Sequence, residues 1–302
     1  MKRFMSRTDR TDRQFCWEQV LRVRPEFRLT QPYSRQLAWL LPLYALFSAL
    51  EEGQNRSSDP FVARAKLAWW RDELLSAGYR SSEHPICRQL SESGFVLSGL
   101  EAVIEGWVKS FADRLDALAP VDEHQLRALC VTVGLYPMLL ELGMQQHPRP
   151  GSFLDAACAV NGLVQLLRES GRSRNEMERF AWVPLTLLAH HSLSRSDLCL
   201  ENQSGKSWHL FAQLAQLAES WMSPFGRWRA VIEQERSEGE LWFRANGSRH
   251  WFIQACLQKR LLGKMSTSGA SHPVRVLTNP GMSDAGFVWL CARQFSQGRK
   301  GL

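Results

Sequence analysis

Apolar residues recur with helical spacing along most of this chain, and no segment shows the clear alternation of a half-buried strand. Asp59 followed by Pro60 is a strong helix start, because aspartate caps the first turn and proline suits the first helical position. The same periodicity predicts further helices over 12–24, 33–52, 98–118, 123–145, 152–170, 184–191, 206–234 and 239–263. The pattern therefore predicts an all-α fold.

The pattern divides the chain into two regions. Residues 1–265 hold the predicted helices, and we expect them to form a single helical domain. From Ser266 to Gly286 the chain is rich in Ser, Gly, Pro and Asn, which predicts a loop, and a short apolar segment covers 287–295. Residues 266–302 are thus predicted to be a loop-rich, basic C-terminal tail.

The positive charge is concentrated near the C-terminus. The formal net charge is +7, and the segment from Arg244 to Leu302 holds nine basic residues and one acidic residue, so residues 1–243 are nearly neutral. This distribution excludes a uniformly basic nucleic-acid-binding protein and argues against nucleic acid as a partner. Aromatic residues interleave with the basic ones, which fits a core helix with a basic outer face, a peripheral membrane contact or a protein partner.

The spacing of the cysteines and the length of the apolar runs indicate in which cellular compartment the protein is expected. The seven cysteines lie 28 or more residues apart, which excludes CxxC zinc sites and suits reduced thiols. The longest uncharged run has 15 residues, whereas a membrane-spanning helix needs about 20. The basic N-terminus lacks the apolar core of a secretory signal. We therefore expect a cytoplasmic protein, peripheral to a membrane at most.

Three sequence blocks carry the information about function. They are LLPLYALF followed by Glu51 and Glu52, KLAWWRDEL at 66–74 followed by His84-Pro85, and NGLVQLLRE at 161–169 followed by Arg179 and WVP at 182–184. In this order they resemble the squalene/phytoene synthase family over about residues 25–225, and WWRDEL is the most specific piece. The resemblance implies an isoprenoid-synthase-like helical bundle around a central cavity.

The resemblance also implies a chemistry. Active family members condense two prenyl diphosphates head to head, and carboxylates on two facing helices hold the Mg²⁺ that neutralises the diphosphates. The blocks are similar as well to a divergent subgroup that includes a mitochondrial complex I assembly factor and lacks the aspartate-rich motifs. Here the first such motif falls on Glu51, Glu52 and Asn55, and the second on Glu169 and Ser173.

No aspartate remains at these positions. Glutamate can bind Mg²⁺, but its extra methylene displaces the carboxylate, and octahedral Mg²⁺ tolerates such displacement poorly. Glu51, Glu52 and Glu169 are therefore candidate metal ligands, with Mg²⁺ expected as a cofactor only if the protein is active. The alternatives are a solvated helix end for Glu51 and Glu52 and a surface ion pair for Glu169.

The cationic and aromatic positions of the motifs are better retained. By the resemblance, the candidates for binding a prenyl diphosphate or lipid-like ligand are Lys66, Trp69, Trp70, Arg71, Arg168 and Arg179. The tryptophans also fit core packing, and Arg71 also fits a polar helix face. We assign no catalytic residue from the sequence.

Three functions stay open at this point. The first is a divergent, non-catalytic or altered family member that binds a prenyl-diphosphate-like or lipid ligand, or acts as an assembly or interaction factor. The second is an active Mg²⁺-dependent prenyltransferase of isoprenoid biosynthesis. The third is an unrelated helical interaction protein.

Overall fold

The computed structural model describes residues 7–34, 37–55, 59–76, 82–116, 119–170, 180–199, 205–225, 233, 248–267 and 282–299. Over these residues the chain forms thirteen α-helices and no strand, which confirms the predicted all-α fold. The helices are α1 (Arg7–Val23), α2 (Phe27–Thr30), α3 (Leu40–Asn55), α4 (Pro60–Leu75), α5 (Pro85–Glu92), α6 (Glu101–Asp116), α7 (Glu123–Leu142), α8 (Phe153–Ser170), α9 (Leu185–His190), α10 (Arg195–Cys199), α11 (Gly205–Met222), α12 (Ser248–Thr267) and α13 (Met282–Arg299).

Local sequence signals set several helix ends. The Asp59 side chain accepts a hydrogen bond of 2.8 Å from the backbone N–H of Phe61, so the predicted cap of α4 is confirmed. Asp122 caps α7 in the same way, and Gly143 ends α7 in the left-handed conformation at a φ of 66°. These caps satisfy backbone groups that the helix itself leaves unpaired.

Two of the predicted boundaries that differ from the structure have a clear physical reason. The helix predicted over 33–52 begins only at Leu40, which places Pro42 in its first turn, where proline is tolerated. The predicted C-terminal loop ends earlier than Gly286, because α13 begins at Met282. Tertiary contact explains this second difference, since Asp284 is buried and pairs with Arg260 and Lys264 of α12. The rest of that loop, residues 268–281, lies outside the described residues.

Helices α7 and α8 pack against each other in the middle of the bundle. Gly134 of α7 faces the carbonyl oxygen of Cys158, and Gly162 of α8 faces the carbonyl oxygen of Cys130. A methyl group at either glycine would overlap these carbonyls, so the close approach of the two backbones requires glycine at both positions. α8 is buried along almost its whole length.

The remaining helices surround this pair. α11 and α12 pack on α8, α3 packs between α1 and α4, α4 packs on α6, and α13 packs on α12. One continuous cluster of buried apolar side chains extends from α1 to α13. In the described part of the chain, α7 alone is long and apolar enough to cross a bilayer, and 56% of that stretch is buried inside the bundle. Its burial fits a core helix of the bundle.

Candidate functional site

A cluster of charged side chains lies inside the bundle, between helices that are otherwise apolar. Five of its members are buried glutamates, namely Glu26, Glu51, Glu52, Glu141 and Glu169. A carboxylate held away from water is costly unless a cation or several hydrogen-bond donors face it. The partner of each glutamate therefore decides what this region can do.

Arginines from the end of α1 face the two glutamates of α3. Arg24 forms an ion pair with Glu51, and both side chains are almost fully buried. Arg22 pairs with Glu52 at 2.5 Å, and Gln19 donates a hydrogen bond of 2.7 Å to the same carboxylate. Burial, the largest single effect, lowers the pKa of Arg24, but Glu51, Tyr44 and Glu26 together outweigh it, and the pKa of Arg24 lies above its ordinary value.

Glu169, near the end of α8, also faces an arginine. Its carboxylate accepts a hydrogen bond of 2.9 Å from Arg114 of α6, and both side chains are about nine-tenths buried. Gln165, one turn earlier on α8, donates a further hydrogen bond of 3.0 Å. The negative charge of Glu169 is therefore compensated by α6.

The neighbouring residue, Arg168, points to a different carboxylate. Its guanidinium pairs with Glu26 at 2.6 Å, and neither side chain is exposed to solvent by more than 1%. Gln254 and Gln258 of α12 donate to the same Glu26 oxygen at 3.1 and 3.3 Å. Glu26 thus joins α2, α8 and α12 across the bundle.

The last of these glutamates, Glu141, belongs to a chain of buried polar side chains. Tyr44 donates a hydrogen bond of 2.7 Å to one carboxylate oxygen, and His250 Nδ1 lies 2.7 Å from the other. The second ring nitrogen of His250 lies 2.9 Å from the Thr30 hydroxyl. Burial and the nearby Glu141 raise the pKa of Tyr44 well above its usual value, so Tyr44 stays a donor.

A cavity of about 20 Å³ lies between these pairs. This volume holds about one water molecule. Arg24, Gln165, Gln254 and Gln258 contribute to its wall, together with Glu141. The partners of Glu51 and Glu169 thus reach the cavity, although the two carboxylates are not among the residues that line it.

Comparison with known proteins places this bundle in a family. The family model described as squalene/phytoene synthase matches residues 27–248. The chain belongs to the squalene/phytoene synthase family. No match was found among curated protein sequences.

Solved structures of a squalene synthase and a dehydrosqualene synthase have the same isoprenoid-synthase fold as this chain. A dehydrosqualene synthase in complex with ligand superposes with a TM-score of 0.60 at 14% identity, over 97% of this chain and 98% of that one. Squalene synthase HpnC from Alicyclobacillus acidocaldarius superposes with a TM-score of 0.55 at 14% identity, over 85% of this chain and 94% of that one. At this identity the similarity shows the fold.

The ligand-binding positions implied by the squalene/phytoene synthase resemblance are dispersed in the structure. Arg168 lies in the central cluster, whereas Lys66, Trp69 and Arg71 lie on the exposed side of α4. Arg71 bonds to the adjacent Asp72 at 2.6 Å. Trp70 is buried in the core, where its ring contacts His84. Arg179 lies outside the described residues.

The family implies Mg²⁺, and its ligands would be glutamates here. Glu51, Glu52 and Glu169 each face an arginine, so their negative charge is already balanced by the chain. Over the described ranges, no three His, Cys, Asp or Glu side chains are grouped so that they could hold a metal ion. This donor set does not fit Mg²⁺, which requires several oxygen ligands in octahedral order.

Sequence reasoning missed the residues that compensate these charges. Arg24 and Arg114 carry no local signal, because they lie 27 and 55 positions from Glu51 and Glu169. Glu141 did carry a signal, since it is a single carboxylate in the apolar run MLLEL near the end of α7. An acid in such a run has to find buried partners, and here Tyr44 and His250 provide them.

Proposed function

We propose that this protein is a family member that does not catalyse Mg²⁺-dependent prenyl transfer and acts as an assembly or interaction factor. One observation carries the proposal: arginines of the chain itself occupy the charge-balancing position beside Glu51, Glu52 and Glu169. In a diphosphate-cleaving site these carboxylates would have to be open to a dissociable cation.

Binding of Mg²⁺ at Glu51 would require rearrangement. Glu51 is 1% exposed and its carboxylate lies against the Arg24 guanidinium, so an incoming dication would meet a like charge at close range. Mg²⁺ also gives up its water shell reluctantly. Displacing Arg24 would leave a buried arginine without its carboxylate, at a cost of several kcal/mol.

The volume of the cavity supports a role other than prenyl binding at this position. Pockets for small ligands enclose about 300–1,000 Å³. The cavity among Arg24, Gln165, Gln254 and Gln258 encloses about 20 Å³, and its wall is rich in polar groups. A prenyl chain would need both more space and an apolar wall. The proposal therefore favours an interaction role over the binding of a prenyl diphosphate in this cavity.

An activity assay tests the proposal. Purified protein, with its helical fold verified by circular dichroism, is incubated with farnesyl or geranylgeranyl diphosphate and Mg²⁺, and pyrophosphate release is followed. We expect release no faster than in protein-free controls. The active-prenyltransferase alternative predicts release that disappears in Glu51→Gln and Glu169→Gln variants, and that result would refute the proposal.

A thermal-shift titration with the same diphosphates tests the ligand-binding alternative. Ligand at about 100 times its Kd would stabilise the fold by about 2.7 kcal/mol, which shifts the midpoint by several degrees. We expect no saturable shift. A saturable shift that is lost in Arg168→Gln would favour the ligand-binding alternative over an assembly or interaction role.

A further inference from the structure

Two buried cysteines face each other where helix α13 packs on helix α12. Cys256 of α12 is fully buried, and Cys291 of α13 is 1% exposed. A hydrogen bond joins their side chains, and burial and this bond raise the pKa of Cys256 well above its usual value. Both cysteines are free, so the contact is between two reduced thiols.

The register of the two helices explains why the thiols meet. Arg260 of α12 pairs with Asp284 of α13 at 3.0 Å, and its guanidinium lies 4.8 Å from the ring centroid of Phe287. One turn before Arg260 on α12 is Cys256, and one turn after Phe287 on α13 is Cys291. The helices therefore run antiparallel, and the two cysteines are at the same level.

Facing positions of such a helix pair suit a disulfide. The axes of packed helices lie about 8–10 Å apart, and each Cα atom lies about 2.3 Å from its own axis. The Cα atoms of facing residues are therefore about 4–6 Å apart, and disulfides span about 4.4–6.8 Å. The register thus allows Cys256 and Cys291 to be joined without a large shift of either helix.

Helix α13 is packed on one side only, which favours local opening. It packs chiefly on α12 and α2, whereas Trp289 and Leu290 on its other side are about half exposed. Peripheral elements with few buried contacts open at a lower free-energy cost than the whole chain unfolds. A small oxidant can therefore reach Cys291 during such openings, although the closed thiol pair is covered.

We propose that Cys256 and Cys291 form a disulfide when the protein meets hydrogen peroxide, and that this bond fixes α13 to α12. The Cys291 thiolate attacks a peroxide oxygen, the O–O bond breaks, and a sulfenic acid and water result. The Cys256 thiolate then attacks the sulfenic sulfur, the S–O bond breaks, and a second water leaves. Two thiols are thus oxidised to one disulfide, one peroxide is reduced, and the thiol protons leave in the two water molecules.

The disulfide reinforces the helix that closes the central cluster. Gln254 and Gln258 lie on either side of Cys256 in α12, and both donate hydrogen bonds to the buried Glu26. A cross-link between positions 256 and 291 closes a long loop, which restricts the unfolded chain more than the folded one. Oxidation should therefore raise the unfolding midpoint, whether or not the central glutamates bind a metal.

Peroxide treatment of the full chain, followed by alkylation and peptide mapping without reduction, tests the inference. Wild type should yield a linked pair of peptides that contain Cys256 and Cys291. Its unfolding midpoint should rise by about 5 °C and should return to the starting value with dithiothreitol. Both effects should be absent in Cys256→Ala and in Cys291→Ala. Each protein is compared before and after oxidation, so a lower stability of either variant does not affect the result.

Cys130 of α7 and Cys158 of α8 provide the matched control. Both are as buried as Cys256, but each lies opposite a glycine, because Cys158 faces Gly134 and Cys130 faces Gly162. These two cysteines are therefore about one turn out of register. Cys130→Ala should leave both the linked peptides and the rise of the midpoint unchanged.

A second buried pair makes the peptide map decisive. Cys16 of α1 and Cys87 of α5 are close enough to interact electrostatically, but the Cys87 thiol is hydrogen-bonded to Ser82. We therefore expect the link between Cys256 and Cys291 to form first. The inference is wrong if peroxide leaves wild type without this link, if the link does not raise the midpoint, or if the pair on α1 and α5 or the control pair on α7 and α8 is linked as fast.

Discussion

The ion pair between Arg24 and Glu51 offers the sharpest test of the charge-compensated core. Arg24→Met removes the guanidinium that pairs with Glu51, a residue that is only 1% exposed. Removing one partner of a buried pair typically costs about 3–5 kcal/mol. The arginine also lies 5.7 Å from the Tyr44 ring centroid, so a cation–π contact of about 0.5–2 kcal/mol is lost as well. Against a total stability of about 5–15 kcal/mol, the variant should be strongly destabilised.

A double-mutant cycle isolates the interaction energy between Arg24 and Glu51 from the other effects of each substitution. Glu51→Leu alone should also be costly, whereas the double variant Arg24→Met/Glu51→Leu should lose less than the sum of the two, by about 2–3 kcal/mol. Urea unfolding followed by circular dichroism measures each free energy of unfolding. The comparison requires that the m value, the slope of this free energy against urea concentration, is the same for all variants.

The exposed pair of Arg71 and Asp72 is the control for this cycle. Its atoms are 2.6 Å apart, yet both side chains are about half exposed or more, so its coupling should stay below about 1 kcal/mol. Additive effects of the Arg24 and Glu51 substitutions would refute the reasoning, because Glu51 would then not depend on Arg24 for charge balance and would be open to another cation.

Three further predictions concern the metal, the helix crossing and a pH-dependent cap. The unfolding midpoint of the wild type, followed by scanning fluorimetry, should be the same in Mg²⁺ and in EDTA; a rise of several degrees with Mg²⁺ would contradict the compensated core. Gly134→Ala should cost at least about 1–3 kcal/mol in urea unfolding, since the new methyl meets the Cys158 carbonyl. Gly286→Ala is the control: its new methyl would meet no atom of another part of the chain within 4 Å, so it should cost nothing or stabilise α13. Burial lowers the pKa of His84 below 6.5, and the neutral ring accepts the hydrogen bond that caps α5. The stabilisation of the fold by this cap is therefore complete above pH 6.5 and declines as the pH falls through the lower pKa of the folded state. The loss should not exceed about 0.5–2 kcal/mol, and His84→Asn, which can cap without titrating, should flatten the profile of unfolding free energy against pH.

The helices could be predicted because their signals are local. Asp59 and Asp122 cap the helices that follow them, and helical periodicity is visible within a single segment. The outward position of Lys66 and Arg71 could also have been found locally. Leu67, Trp70 and Leu74 define the buried face of α4 at spacings of three and four, which leaves Lys66 and Arg71 on other faces.

The central cluster could not be predicted, because it depends on which helices meet. The sequence left Glu51 as either a metal ligand or a solvated helix end, and the structure shows a third environment beside Arg24. That contact exists only because α1 packs on α3. Glu169 was likewise predicted to be a metal ligand or part of a surface ion pair, but it is buried and pairs with Arg114 of α6, while the neighbouring Arg168 pairs with Glu26.

The hydrogen bonds between Glu26 and α12 have a consequence for folding during synthesis on the ribosome. Gln254 follows Glu26 by 228 positions, so at about 5–20 residues per second the ribosome needs about 10–45 s to supply this donor. Glu26 has to remain hydrated during that interval, since its full set of buried partners does not yet exist. The face of α8 that packs on α12 also has no partner from α12 until then. We expect chaperones to encounter this protein chiefly before α12 is made, and truncations that remove α12 to be degraded.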